Sequence, residues 1–445
     1  MGRIAAAAAF LATLALAACG GGGGSGKSST TAANGGTSHQ PVTITLWNGF
    51  TNRELGVVNQ AVAAFHASHP WITVKSVGGI NDDKIIAAIR GGNAPDVAQS
   101  FTADNTGAFC SSGGWIDLKP YMTASKIDAS MFPQPVQTYT EYNGTRCALP
   151  MLADTYGLYY NKDLFKKAGI AAPPKTMSEL TADAKKLTVR DGDSFKVVGF
   201  DPAQGFYENA PAHYGPLFGA QWVDGDKSAI AKNPGWAEFM QWQKGLIDFY
   251  GFDKLRRWQA GAGDEFSASN AFERGKLAMA IDGEYRTAFI KAEHPSLNYG
   301  TAPMPVADSH PELYGAGYVT GNIIGIPKSS EHKDAAWELV KYLTTDEHAL
   351  ALLSNGLRNV PTTTASLKSG ELTPDPKFKV FLDIFANPKT ATTPITAAGS
   401  ANQELFQDYV AKWQAGKVSD LQGGLAQVDK QIDAQLANAA GTKVP

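Results

Sequence analysis

The chain has 445 residues, more than a single hydrophobic core usually supports, so about two domains are expected. With 43% hydrophobic and 18% charged residues it is neither a disordered polymer nor a polytopic membrane protein. A net charge of −3 argues against nucleic acid as the main partner, because a phosphate-neutralising surface carries a basic excess.

Arg3 is followed by an uncharged, Ala/Leu-rich run over residues 4–18, too short to span a bilayer comfortably and suited to a secretory signal. It ends in Leu16-Ala17-Ala18-Cys19 and then Gly20, which resembles the lipobox of bacterial lipoproteins. That resemblance implies that residues 1–19 are a signal peptide, that Cys19 is acylated, and that the protein sits lipid-anchored on the outer face of the cell membrane. Residues 20–39 read as a Gly/Ser/Thr tether that cannot bury enough surface to fold. Within it, residues 21–28 spell GGGGSGKS, a match to the phosphate-loop pattern, but no strand precedes it and no helix follows, so no nucleotide site is expected. Cys110 and Cys147 remain, an even pair in an exported chain. A disulfide between them is expected, the alternative being two buried thiols.

In chain order, Val42–Trp47 reads as a strand, 53–66 as an amphipathic helix, Ile72–Val77 as a strand, Asp82–Arg90 as a helix and 96–99 as a short strand. This alternation predicts an α/β body with a mostly parallel sheet, whose ligands belong at the carboxyl ends of the strands. Helices are expected over 161–168, 178–187, 236–250 and 333–343, with a further amphipathic segment over 265–274. Strands are expected over 277–281 and 323–326, and a largely helical C-terminal third follows.

Four stretches carry a resemblance: LPMLADTYGLYYNKDLFKKAG at 149–169, FERGKLAMAIDGEYRTAF at 272–289, NIIGIPKSSEHKDAAWELVKYLTTDEHA at 322–349 and NGLRNVPT at 355–362. In this order, behind a lipobox, the chain resembles the extracellular solute-binding proteins of carbohydrate ABC importers. The resemblance implies an α/β, two-lobed, periplasmic-binding-protein-like (Venus-flytrap) fold with discontinuous lobes joined by hinge strands. The expected lobes are 40–152 with 302–347, and 153–301 with 348–445. It implies a sugar or oligosaccharide ligand, an ABC permease as partner, a monomer, and neither catalysis, cofactor nor metal.

A sugar offers apolar faces that stack on rings and hydroxyls that seek planar hydrogen-bonding groups. By position, the resemblance marks Asn48, Phe50 and Thr51 after the first strand, and Phe101, Asp104 and Asn105 after the third. Asp104 reads equally as a helix cap. Asp154 and Tyr156 lie at the first crossing between lobes, and Tyr207 and Trp222 in the second lobe. Tyr285 stands where the family usually has Trp, a departure that points to a smaller or more polar ligand. Gly317 and Tyr318 precede a strand, and Arg358 has the fork to bind hydroxyls or an anionic head group. The Trp platform of the family's maltose-binding members has no counterpart around 400–404, where the nearest ring is Phe406.

Two other readings stay open: a glycerophosphodiester or polyol-phosphate binder of the same fold, and a secreted glycan-active hydrolase. No G-x-S-x-G or H-E-x-x-H occurs to support an enzyme. His66 with His69, and Asp224-Gly225-Asp226, lack the further ligands of a metal site.

Overall fold

The computed structural model describes residues 39–225 and 227–440, and one compact unit begins at Pro41. The expected signal peptide, Cys19 with its expected acylation, and all of the expected tether except His39 lie outside the described residues.

β1 (Val42–Trp47) alternates so that Ile44 and Leu46 point into a core. It pairs in parallel with β2 (Ile72–Val77) and β3 (Val97–Ser100). The helix Asn52–Ser68 connects β1 to β2 and buries Val58, Ala61 and Phe65, while Asp82–Arg90 connects β2 to β3 and buries Ile85. Each is a β-α-β unit, a crossover that is right-handed as a rule.

β4 (Ala148–Asn161) is 14 residues long and buried over nearly its whole length. It is followed by β5 (Val189–Asp191), β6 (Ser194–Phe200), the small hairpin of β7 (Val223–Asp224) and β8 (Lys227–Ser228), β9 (Leu277–Gly283), β10 (Tyr299–Ala302) and β11 (Val319–Gly325). The main sheet runs β2-β1-β3-β11-β4-β9-β6-β5, with β10 also on β4. It is mixed where a mostly parallel sheet was expected. β11 returns antiparallel between β3 and β4, and β4 is antiparallel to β9 and β10.

Two hydrophobic cores lie along this sheet. The first gathers Ile44, Leu46, Phe65, Trp115, Leu149, Leu152, Ile323, Leu339, Leu350, Leu353 and Leu357. The second gathers Tyr156, Leu158, Tyr159, Phe200, Trp236, Met279, Met304, Val306, Phe406 and Leu425. β4 passes from one to the other between Ala153 and Tyr156, and the chain returns between Tyr318 and Val319. The helix Pro376–Ala386 straddles both, with Phe381 and Ile384 in the second core and Phe385 in the first.

The amphipathic pattern over 265–274 does not become a helix. Asn270 Oδ1 accepts from the backbone N–H of Phe272 (2.9 Å) and Glu273 (3.3 Å), and Asp264 Oδ1 accepts from that of Phe266 (2.9 Å). Such local side-chain acceptors compete with the helical ladder and favour turns.

Cys110 and Cys147 form a disulfide with Cα atoms 5.4 Å apart, tying the short helix Thr106–Ser111 to the entrance of β4. Replacing both by Ala should lower stability by about 2–4 kcal/mol, read as a drop in the urea midpoint against the oxidised protein. An unchanged midpoint would mean that the bridge constrains nothing in the unfolded chain.

Candidate functional site

The loop after β1 is pinned from within. Asn48 is buried, its Oδ1 accepting from Phe50 N–H (3.2 Å) and its Nδ2 donating to Ser76 Oγ (3.2 Å). Gln99 Oε1 accepts from Gly49 N–H (3.0 Å) while its Nε2 donates to Asn322 (2.9 Å). Phe50 is buried and meets Phe101 edge-on, with ring centroids 4.8 Å apart. Phe101 is 45% exposed and lies over Gly49, where a Cβ would come within 2.0 Å of its ring. Any side chain at position 49 would therefore displace the one exposed ring of this loop. Thr51 is exposed and precedes the helix without a side-chain cap bond.

Asp104 is buried and does not serve as the cap. Thr102 takes that role, accepting from Asp104 N–H at 3.2 Å. The Asp104 carboxylate accepts from Thr102 Oγ1 (3.1 Å) and from Thr393 Oγ1. Burial raises its pKa, opposed by the hydrogen bonds from Thr393, Gln403 and Thr102. Thr393 belongs to the C-terminal part of the chain, so Asp104 links the first lobe to it. Asn105 points elsewhere, donating to Asp82 at 2.6 Å.

At the passage of β4, Asp154 does not stand alone. Asn359 Nδ2 donates to Asp154 Oδ1 and to Glu284 Oε1 (3.2 Å). Glu284 Oε2 accepts from Thr155 N–H (2.7 Å), and Glu284 N–H donates to Thr155 O (3.2 Å). Both carboxyl groups are buried, and burial raises both pKa values. The Asp154 charge pushes Glu284 up further, so the pair retains a proton where isolated carboxyls are ionised.

Beside this pair four rings converge. His213 meets Tyr156 edge-on at 4.1 Å, Tyr318 at 5.0 Å and Tyr207 at 5.1 Å between centroids. Tyr156 and Tyr318 are buried, whereas Tyr207 is 49% exposed. Tyr318 Oη lies 3.4 Å from Thr393 Oγ1, which joins the rings to Asp104.

Tyr285 is partly buried, its hydroxyl donating to Glu208 at 2.5 Å, with the exposed Phe266 ring 6.2 Å away. Behind it Arg286 is fully buried, held by Asp282 (2.7 Å) and Glu273 (3.1 Å) and flanked by the Phe266 and Phe289 rings. Arg53 of the first lobe approaches the same Phe289 ring at 5.3 Å.

Besides Asn105, the expected residues Trp222, Gly317 and Arg358 are placed outside this group. Trp222 packs in the second core on Trp236 (4.6 Å) and Phe406 (5.7 Å). Gly317 packs close to Ile384, and its N–H donates to Thr390 at 3.3 Å. Arg358 ends a helix in the left-handed conformation, and its guanidinium donates to Thr373 O (3.2 Å), pairs with Asp375 (3.8 Å) and stacks on Phe378 (5.2 Å). The structure adds Glu284, Asn359, His213 and Thr393 to the group. Glu284 lies next to Tyr285 and Asn359 next to Arg358, so adjacency to singled-out residues was a usable signal for both. His213 and Thr393 carry none.

A family model described as bacterial extracellular solute-binding protein matches residues 54–349. A binding protein of Brucella abortus, BAB2_0491, is 31% identical over 204 residues, 45% of this chain and 47% of that protein. A maltooligosaccharide ABC transporter solute-binding lipoprotein of Streptococcus pneumoniae is 28% identical over 290 residues, 63% of this chain and 62% of that protein. The match thus spans about half the length of the first of these relatives and under two thirds of the second. Among solved structures, CpMnBP1 with mannotriose bound superposes with a TM-score of 0.78 at 27% identity, covering 89% of this chain and 100% of that one.

The carboxyl pair makes stability depend on pH with a defined sign. Its folded pKa values are raised, so the folded state binds more protons than the unfolded chain. The contribution is full below the unfolded carboxylate range and declines as pH rises through the folded values, with Asp154 pushed up to about 7. Glu284→Gln keeps an acceptor for Thr155 and removes one titration. Between about pH 5 and about pH 8, the melting temperature of this variant should fall less than that of the wild type. Parallel curves would show that the pair does not retain a proton.

Proposed function

This chain belongs to the bacterial extracellular solute-binding proteins, and from that premise we propose that it captures a neutral sugar or oligosaccharide between its two lobes and delivers it to an ABC permease. The observation that carries this reading is the continuous group Asp104–Thr393–Tyr318–His213–Tyr156–Tyr207, in which a first-lobe carboxylate meets second-lobe rings at the passage of β4 and β11. Rings and hydrogen-bonding groups mixed in this way suit the two kinds of surface on a sugar. Asn48, Phe50, Thr51, Phe101 and Tyr285 border the group from the two sides, with Phe101 and Tyr207 as the exposed rings.

Core membership supports one lobe built on β1–β3, the first half of β4, β11 and the helices over 333–357, which differs from the expected bounds in setting 302–318 with the second core and 348–357 with the first. The other holds the rest up to Tyr318 and the C-terminal helices. A ligand touching both lobes stabilises the closed form, and affinity is lowered by whatever closure costs. The mechanism is binding and release without covalent chemistry. The phosphodiester alternative is less well supported, because the guanidinium groups of Arg358 and Arg286 are already engaged by carboxylates. The carboxyl pair Asp154 and Glu284 shares a single amide inside the hinge, which suits a structural clasp better than an acid and nucleophile flanking a glycosidic bond.

Acylation of Cys19 would hold the protein on the outer membrane face. The Leu16–Cys19 sequence supports this, as does the lipoprotein among its relatives. Cys19→Ala should abolish incorporation of labelled palmitate and release the protein from the membrane fraction, and retention of label would overturn the anchor.

The ligand class is tested by thermal shift with mannotriose, maltotriose and glycerophosphocholine. A sugar at a hundred times its Kd should add about 2.7 kcal/mol to the folded state, a clear rise in melting temperature. A rise with glycerophosphocholine alone would replace the sugar by a phosphodiester.

A further inference from the structure

His213 is the one member of the ring group that nothing in the sequence marked. It lies in the short helix Pro211–Tyr214 and is 3% exposed. By strict geometry neither Nδ1 nor Nε2 makes a hydrogen bond, although the Ala210 backbone lies near enough to favour the protonated ring. Buried polar groups without partners are rare and unfavourable, typically by about 1–3 kcal/mol each. Burial holds the imidazole pKa down at about 3, with only partial opposition from the Ala210 backbone, so the ring is neutral at any physiological pH. A neutral imidazole carries one donor and one acceptor.

The surroundings bear on what those two atoms await. Tyr156 and Tyr318 wall the ring on the inner side, both buried. Tyr207 covers the outer side and is half exposed, in a single short turn whose backbone N–H is held by Glu265 at 2.9 Å. Gly205 precedes that turn at φ 158°, a near-extended geometry. Tyr207 is therefore the only ring of the three with solvent to swing into.

We propose that His213 is a ligand-reading residue, a ring nitrogen exchanging a hydrogen bond with a hydroxyl of a bound sugar or polyol once the Tyr207 ring moves aside. The two ring nitrogens point away from each other, so each can meet one hydroxyl, and a hydroxyl suits either because it both donates and accepts. A site built to hydrogen-bond hydroxyls rejects deoxy analogues, because the analogue leaves the buried nitrogens unpaired. The absence of charge on the ring favours neutral ligands over phosphorylated ones. This inference rests on the sugar-capture reading for its ligand, but the unpartnered imidazole can be tested without one.

His213→Phe keeps the ring and removes both nitrogens, while His213→Gln keeps a donor and an acceptor. Without ligand, His213→Phe should melt above the wild type, since two orphaned polar atoms leave a buried site. With mannotriose and maltotriose in titration calorimetry, whichever the wild type binds should bind His213→Phe at least about tenfold more weakly and His213→Gln within a few-fold. Wild-type affinity in His213→Phe would overturn the proposal, and so would a lowered melting temperature in that variant, which marks a structural role. If the wild type binds neither sugar, the sugar-capture reading fails. In that case a raised melting temperature of His213→Phe still supports an imidazole awaiting a polar ligand, and an equal or lowered one overturns it.

Discussion

One strand has to serve two hydrophobic cores, and the rest of the molecule is arranged around that constraint. β4 pairs with β11 along residues 148–155 and with β9 and β10 along 156–161. Where its partners change, backbone groups need another source of hydrogen bonds. Glu284 meets that need, its carboxylate accepting from Thr155 N–H and its own N–H donating to Thr155 O. Asn359, just past the helix Glu347–Leu357, then ties Glu284 to Asp154. Three chain segments are thereby fixed where β4 passes from one core to the other.

The energetics of this clasp explain its composition. An isolated buried carboxylate is strongly disfavoured, and two together repel unless a proton is retained. A neutral amide between them supplies hydrogen bonds to both without a full positive charge. The neighbouring arginines are held by other carboxylates, Arg286 by Asp282 and Glu273 and Arg358 by Asp375. The group about β4 is thus rich in hydroxyls, rings and amides, and its two buried guanidinium groups are already paired. That balance suits a ligand that is polar and uncharged.

Much of the fold was legible because its elements announce themselves locally. The strand Val42–Trp47, the helices that cross between β1, β2 and β3, and the helix Lys333–Thr345 all follow from period and burial. The segment 265–274 was misread because Asn270 and Asp264 form turns that a periodicity count does not register. Arg358 looked like a ligand fork, yet a guanidinium says nothing about which carboxylate it will meet, and here Asp375 and the Phe378 ring occupy it. Trp222 is bound into a core by two rings distant in sequence, Trp236 and Phe406.

By itself the sequence determined the α/β class of the body and the order of its early elements, which depend on period, composition and spacing, properties of neighbouring residues. The crossing about Asp154–Tyr156 was implied by the family resemblance, and the bridge between Cys110 and Cys147 was one of two readings that the structure decided. Only the tertiary structure decided that Asp154 shares its environment with Glu284 and Asn359, that Thr393 reaches back to Asp104, and that His213 stands between three tyrosines with its nitrogens unpartnered. Those contacts join residues up to 289 positions apart. They arise when two separately folded cores are brought together on one strand, and no local pattern encodes where the second core will present its side chains.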